Sequence, residues 1–112
     1  MFETAVRLSP KYPWWIDFGY GFALHLVGRK EEAISTYKKA IDAGAVTAPL
    51  RVRLAAVYAD LGRMVEAKAA VKDALNQNPT FTIAKYLKSY PYPRGNRQAW
   101  YRNLLLRAGL PE

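Results

Sequence analysis

Gly28 and Gly62 stand 34 residues apart in matching surroundings, Val27-Gly-Arg-Lys-Glu-Glu-Ala33 and Leu61-Gly-Arg-Met-Val-Glu-Ala67. Arg29 and Arg63, Glu32 and Glu66, Ala33 and Ala67, Lys38 and Lys72, and Ala40 and Ala74 keep the same interval without a gap. A fixed period of this length is the signature of a stacked repeat, in which one supersecondary unit recurs. Each unit reads as two helices. A first helix is predicted from about Pro13 to Val27 and again from Ala48 to Leu61, with Pro49 suited to a first turn and Thr47 a candidate N-cap. Gly28 and Gly62 end these helices, because glycine accepts the left-handed conformation found there. A second helix follows from about Lys30 to Ala43 and from Met64 to Asn76. Its apolar residues recur at helical spacing: Ala33, Ile34, Tyr37, Ala40 and Ile41, then Ala67, Ala70, Val71, Ala74 and Leu75. So short a turn forces the two helices antiparallel. The small residues Gly21, Ala33, Ala55 and Ala67 allow close approach.

The period fails after Pro79, since Pro91 and Pro93 forbid a third uninterrupted hairpin. A short helix from about Phe81 to Ser89, a Tyr90-Pro-Tyr-Pro-Arg-Gly95 connector and a last helix from about Asn96 to Ala108 are expected instead. Trp100, Leu104, Leu105 and Ala108 give the last helix an apolar stripe, and Gly109 caps it. End elements of this kind close a solenoid.

The period and its residues resemble the tetratricopeptide repeat (TPR) family, whose pattern is W-x2-L-G-x2-Y, A-x3-F and P. The first unit matches at Gly21, Ala33 and Tyr37, with Tyr20 and Leu24 as apolar substitutes. The second matches at Leu54, Tyr58, Ala67 and Pro79, with Ala55 and Val71 as substitutes. Asp17 and Arg51 depart from the pattern at the tryptophan position, and Ala45 at the first proline. Phe2, Ala5 and Pro10 resemble the tail of an earlier unit. The expected fold is all-α: a TPR-like right-handed superhelix of antiparallel helical hairpins with a C-terminal capping helix. Its parts would be a partial repeat over 1–12, repeats over 13–46 and 47–79, and capping helices over 80–112. More narrowly, Arg7-Leu-Ser-Pro10, Trp14-Trp15, Phe81-Thr82 and Leu106-Arg-Ala-Gly-Leu-Pro-Glu112 resemble the C-terminal TPR segment of bacterial class III adenylate/guanylate cyclases and related multidomain signalling regulators. That resemblance implies an accessory, regulatory or interaction domain.

The family resemblance also implies where a protein or peptide partner would bind, because the first helix of each unit lines a concave groove. Tyr20, Gly21 and Leu24, and Leu54, Ala55 and Tyr58, would pack inward. The opposite stripe would carry Trp15, Phe18, Phe22 and His25 in the first unit and Val52, Arg53, Ala56 and Ala59 in the second. One TPR subgroup grips a C-terminal carboxylate with a lysine and asparagines on this stripe. Here Phe18 and Phe22 stand in two of those slots, which excludes that ligand and points to an amphipathic helix or apolar peptide. Phe18 and Phe22 read equally well as core. With so few units and an apolar edge at Phe2, Ala5, Trp14 and Trp15, self-association is expected, as a symmetric dimer, or else an N-terminal neighbour.

Composition narrows the function classes. The 112 residues hold no cysteine, which excludes disulfides and thiolate metal sites and agrees with a reducing cytoplasm. No apolar run approaches the roughly 20 residues needed to cross a membrane, and Met1 to Pro10 does not read as a signal peptide. His25 is the one histidine, and Ser9, Ser35 and Ser89 have no base and acid at a recognisable spacing. Asp17, Asp42, Asp60 and Asp73 are isolated and no phosphate-cradling glycine loop is present. Neither catalysis, a metal nor a cofactor is expected. The net charge is +8, with six Lys/Arg against one acid from Thr80 to Glu112. Most of this reads as solvated surface. The rival use is nucleic-acid binding through Tyr90-Pro-Tyr-Pro-Arg94, Arg97, Trp100 and Arg102, which Trp100's place on the apolar stripe disfavours.

Overall fold

The computed structural model describes residues 14–44, 47–90 and 95–112. Six helices run through them: α1 (Trp14–Leu26), α2 (Lys30–Asp42), α3 (Ala48–Asp60), α4 (Met64–Gln77), α5 (Ile83–Ser89) and α6 (Gly95–Ala108). No strand occurs among the described residues. The all-α expectation holds, and every helix lies within two residues of where hydrophobic spacing and glycine stops put it. The partial repeat with Phe2 and Ala5, and most of the proline connector, lie outside the described residues. The chain divides into two compact units, residues 1–46 and 47–112.

In the first unit α1 and α2 pack together across the turn at Val27–Arg29. The turn closes because Gly28 has φ +90°. The Gly28 N–H donates to His25 O at 3.1 Å and the Arg29 N–H to Leu24 O at 2.9 Å, which satisfies the last carbonyls of α1. The α1 face turned inward carries Asp17, Phe18, Gly21, Leu24 and His25. The α2 face supplies Ala33, Ile34, Tyr37 and Ala40. Gly21 is small for a reason: a Cβ there would come 2.7 Å from Tyr37 Cζ and 2.9 Å from Cδ1. Gly19, two residues earlier, faces open space at the same test. Glycine inside a helix is about 1 kcal/mol worse than alanine. Gly19→Ala is therefore expected to stabilise the first unit by up to about 1 kcal/mol, read as a raised midpoint of urea unfolding.

The second unit repeats the hairpin. Gly62 has φ +77°, the Gly62 N–H donates to Ala59 O at 3.0 Å, and the Arg63 N–H donates to Tyr58 O at 2.8 Å. One turn later in each unit stands an ion pair, Arg29 Nε to Glu32 Oε1 and Arg63 Nε to Glu66 Oε1, both 2.8 Å and both on the surface. Exposed pairs like these contribute at most about 1 kcal/mol, so they mark the repeat more than they hold it. Thr47 stands at the N-cap of α3 with extended backbone, but its hydroxyl makes no capping bond. Pro49 occupies the first turn and has no N–H to offer, which removes a donor the cap would use. Thr82 does cap, its Oγ1 accepting from the Lys85 N–H at 3.1 Å.

Around α3 the second unit is closed. α4 packs along one side of it, α6 packs on both α3 and α4, and α5 packs on α6. Ten of the thirteen residues of α3 are buried. Gly109, with φ +102°, turns the chain after α6, and Leu110 is buried. The tail then meets α5: the Ile83 N–H donates to Pro111 O at 2.8 Å and the Ala84 N–H to Glu112 O at 3.3 Å. These bonds satisfy donors that the first turn of a helix leaves open.

Candidate functional site

A surface helix normally shows water a charged face. Among the described residues α2 exposes Glu31, Glu32, Lys38, Lys39 and Asp42, α4 exposes Lys68, Lys72 and Asp73, α5 exposes Lys85 and Lys88, and α6 exposes Arg97 and Arg107. α1 departs from this. Its exposed residues are Trp15, Ile16, Gly19, Tyr20 and Ala23, with Val27 continuing the row, and none is charged. Trp15 is 59 % exposed, Ile16 60 %, Tyr20 55 % and Val27 70 %, so four of the six exposed large hydrophobic residues of the described chain sit here. Val27 belongs to the same row because its N–H still bonds to Ala23 O at 3.1 Å. Contiguous apolar surface of this kind marks an interaction site.

The residues expected on the groove stripe divide differently. Trp15 is exposed and Phe22 half-buried, whereas Phe18 and His25 are buried in the first unit. Phe18 meets the Trp14 ring edge-on at 5.4 Å. Val52, Arg53, Ala56 and Ala59 are all buried. Tyr20, expected to pack inward, points to solvent. The inward arc of α1 is set by Asp17, Phe18, Gly21, Leu24 and His25, and Tyr20 lies outside it. Sequence reasoning therefore missed Ile16, Ala23 and Val27 as surface. The available signal was that Asp17 is the only acid in α1 and the helix has no lysine or arginine.

Arg53 is 8 % exposed and held by aromatic groups from the C-terminal helices. Its Nε donates to Tyr86 Oη at 2.6 Å. Its guanidinium lies 5.8 Å from the centre of the Tyr86 ring and 5.5 Å from that of Tyr90. Tyr86 in turn stacks on Tyr101 at 6.1 Å and receives Phe81 edge-on at 6.4 Å. Arginine is suited to such a place because its planar cation stacks on rings while its N–H groups bond in plane. The arginine expected on the groove stripe thus serves the interior of its own unit.

Burial raises the Tyr86 phenol above its ordinary value near 10, and the Arg53 cation and hydrogen bond only partly oppose this. The folded chain then keeps a proton that the unfolded chain loses. The stability this gives is complete below about pH 10 and falls as pH rises through the folded value. Melting curves at pH 8 and pH 11 should show wild type losing more stability between the two than Tyr86→Phe, which has no phenol to ionise there.

The residues expected to meet a nucleic acid in the C-terminal third are placed as follows. Tyr90 and Trp100 are half-buried, Arg97 lies 5.5 Å over the Trp100 ring, Arg102 pairs with Glu112, and Arg94 lies outside the described residues. No group of three His, Asp or Glu side chains is placed to hold a metal ion among the described residues, and no described helix is long and apolar enough to cross a membrane.

The tetratricopeptide repeat family matches residues 18–43 and 48–81, more than half of the chain and one hairpin in each unit. The chain belongs to the tetratricopeptide repeat family. No curated protein and no solved structure matches it. TPR repeats generally mediate protein–protein interaction and are typically non-catalytic scaffolds. The TPR match starts at Phe18, on the buried side of α1, and continues through Gly21, Ala33 and Tyr37. Those residues build the hairpin, and the exposed row on α1 lies on its other side.

Proposed function

We propose that this TPR chain is a protein-binding scaffold that takes a partner helix on the uncharged face of α1. The observation that carries the reading is the row Ile16, Tyr20, Ala23 and Val27, bare on a helix without a charged side chain at its surface. Trp15 and Phe22, of the stripe expected from the sequence, flank this row. Val52, Arg53, Ala56 and Ala59, the rest of that stripe, are buried and form no part of this face. Apolar residues three and four apart are what an amphipathic helix meets in a groove or seam. A narrower placement, as the accessory module of a bacterial signalling protein such as a nucleotide cyclase, rests on the short runs Arg7–Pro10, Trp14-Trp15, Phe81-Thr82 and Leu106–Glu112 alone. A cytoplasmic setting rests on the absence of cysteine.

The test compares three immobilised chains in native extract: wild type, Tyr20→Glu, and Lys68→Glu as an exposed control on α4. Proteins held by wild type and Lys68→Glu but released by Tyr20→Glu support the reading. The same proteins on all three overturn it, as does a wild type that neither holds a protein nor self-associates.

A further inference from the structure

The exposed row on α1 has a symmetry that names its occupant. Ile16, Tyr20, Ala23 and Val27 follow one another at intervals of four, three and four, the spacing of a coiled-coil seam. That order reads the same from either end. If a second α1 lies antiparallel across a two-fold axis between positions 21 and 22, Tyr20 of one copy faces Ala23 of the other and Ile16 faces Val27. The largest side chain of the row, Tyr20, then meets the smallest, Ala23, and the two β-branched residues meet each other. Gly19 beside the row leaves open space where a Cβ would stand, so the helices can approach closely.

Charge points the same way. Residues 1–46 carry six basic and five acidic side chains, and residues 47–112 carry eleven and four. Two copies meeting through the second unit would set strongly positive surfaces against each other. Meeting through α1 sets two uncharged faces together, in the nearly neutral half of each chain. An isologous contact needs a patch that complements itself, and this row does. We propose that the α1 face docks a second copy of this chain, as an antiparallel α1–α1 dimer. The proposal rests on the reading of α1 as a helix-docking face and supplies the partner. It uses Ile16, Tyr20, Ala23 and Val27 in place of the edge at Phe2, Ala5 and Trp14, and Trp15 becomes a flank.

Sedimentation equilibrium of the full 112-residue chain should give the mass of a dimer. Tyr20→Glu enters the seam twice and should weaken association about a hundredfold, equal to roughly 2.7 kcal/mol, with the helical spectrum unchanged. Because the chain has no cysteine, a second arm works whether or not that variant folds. Tyr20→Cys and Ala23→Cys chains of distinguishable mass are mixed in equal amounts and oxidised, and the mixed disulfide should clearly exceed the share of about one half that random pairing gives. A monomer at every concentration overturns the dimer, as does association that Tyr20→Glu leaves intact, or thiols that show no preference for the mixed pair. A monomer that still captures other proteins through Tyr20 overturns the dimer alone. A monomer with no such capture overturns the docking face as well.

Discussion

Tyr86→Ala is expected to remove about 3–5 kcal/mol from the second unit, the range for deleting a buried aromatic side chain. Tyr86 is 1 % exposed and sits where three elements meet. It stacks on Tyr101 of α6, receives Phe81 edge-on and accepts the Arg53 bond from α3. The substitution opens a cavity and also takes the phenol away from a buried guanidinium, so two costs add. Tyr86→Phe separates them: the ring stays, one hydrogen bond to a charged donor goes, and the expected loss is about 1.5–3 kcal/mol. Urea unfolding followed by helical ellipticity measures both. A loss with Tyr86→Ala no larger than with Tyr86→Phe would show that ring packing there contributes little.

Gly21→Ala carries the second largest effect and has the opposite sign to Gly19→Ala. Both remove a glycine from α1, and both gain about 1 kcal/mol of helix propensity. At position 21 the new methyl overlaps the Tyr37 ring, which is fully buried and has no free direction to retreat. Overpacking of this kind costs about 1–3 kcal/mol. The net expectation is a loss of up to about 2 kcal/mol, seen as a lower melting temperature for Gly21→Ala and a higher one for Gly19→Ala. If both variants melt above wild type, α1 and α2 stand further apart than the Gly21–Tyr37 approach requires.

The hairpins were legible because their signals are local. A helix needs its stop glycine and its apolar spacing within the same stretch of chain, so Gly28, Gly62 and Gly109 with the Ala33 and Ala67 rows placed them closely. The site was less legible. Which arc of α1 turns inward depends on α2, and Tyr20 was assigned to the core by its match to a repeat pattern although Asp17 and His25 occupy the buried arc instead. Arg53 read as part of the groove stripe because nothing near it in sequence announces Tyr86 and Tyr90, more than thirty residues later. Thr47 read as a cap by residue type, yet Pro49 had removed a donor from the turn it would cap.

Hydroxyl-radical labelling of α1 tests most directly whether its bare face is where this chain meets another helix. In the purified chain at high dilution, Trp15, Ile16 and Tyr20 should label strongly, as should Val65 on α4, which is 85 % exposed. In concentrated chain or native extract the three α1 residues should become protected several-fold while Val65 does not. Unchanged labelling of α1, or equal protection of Val65, would contradict a docking role for that face.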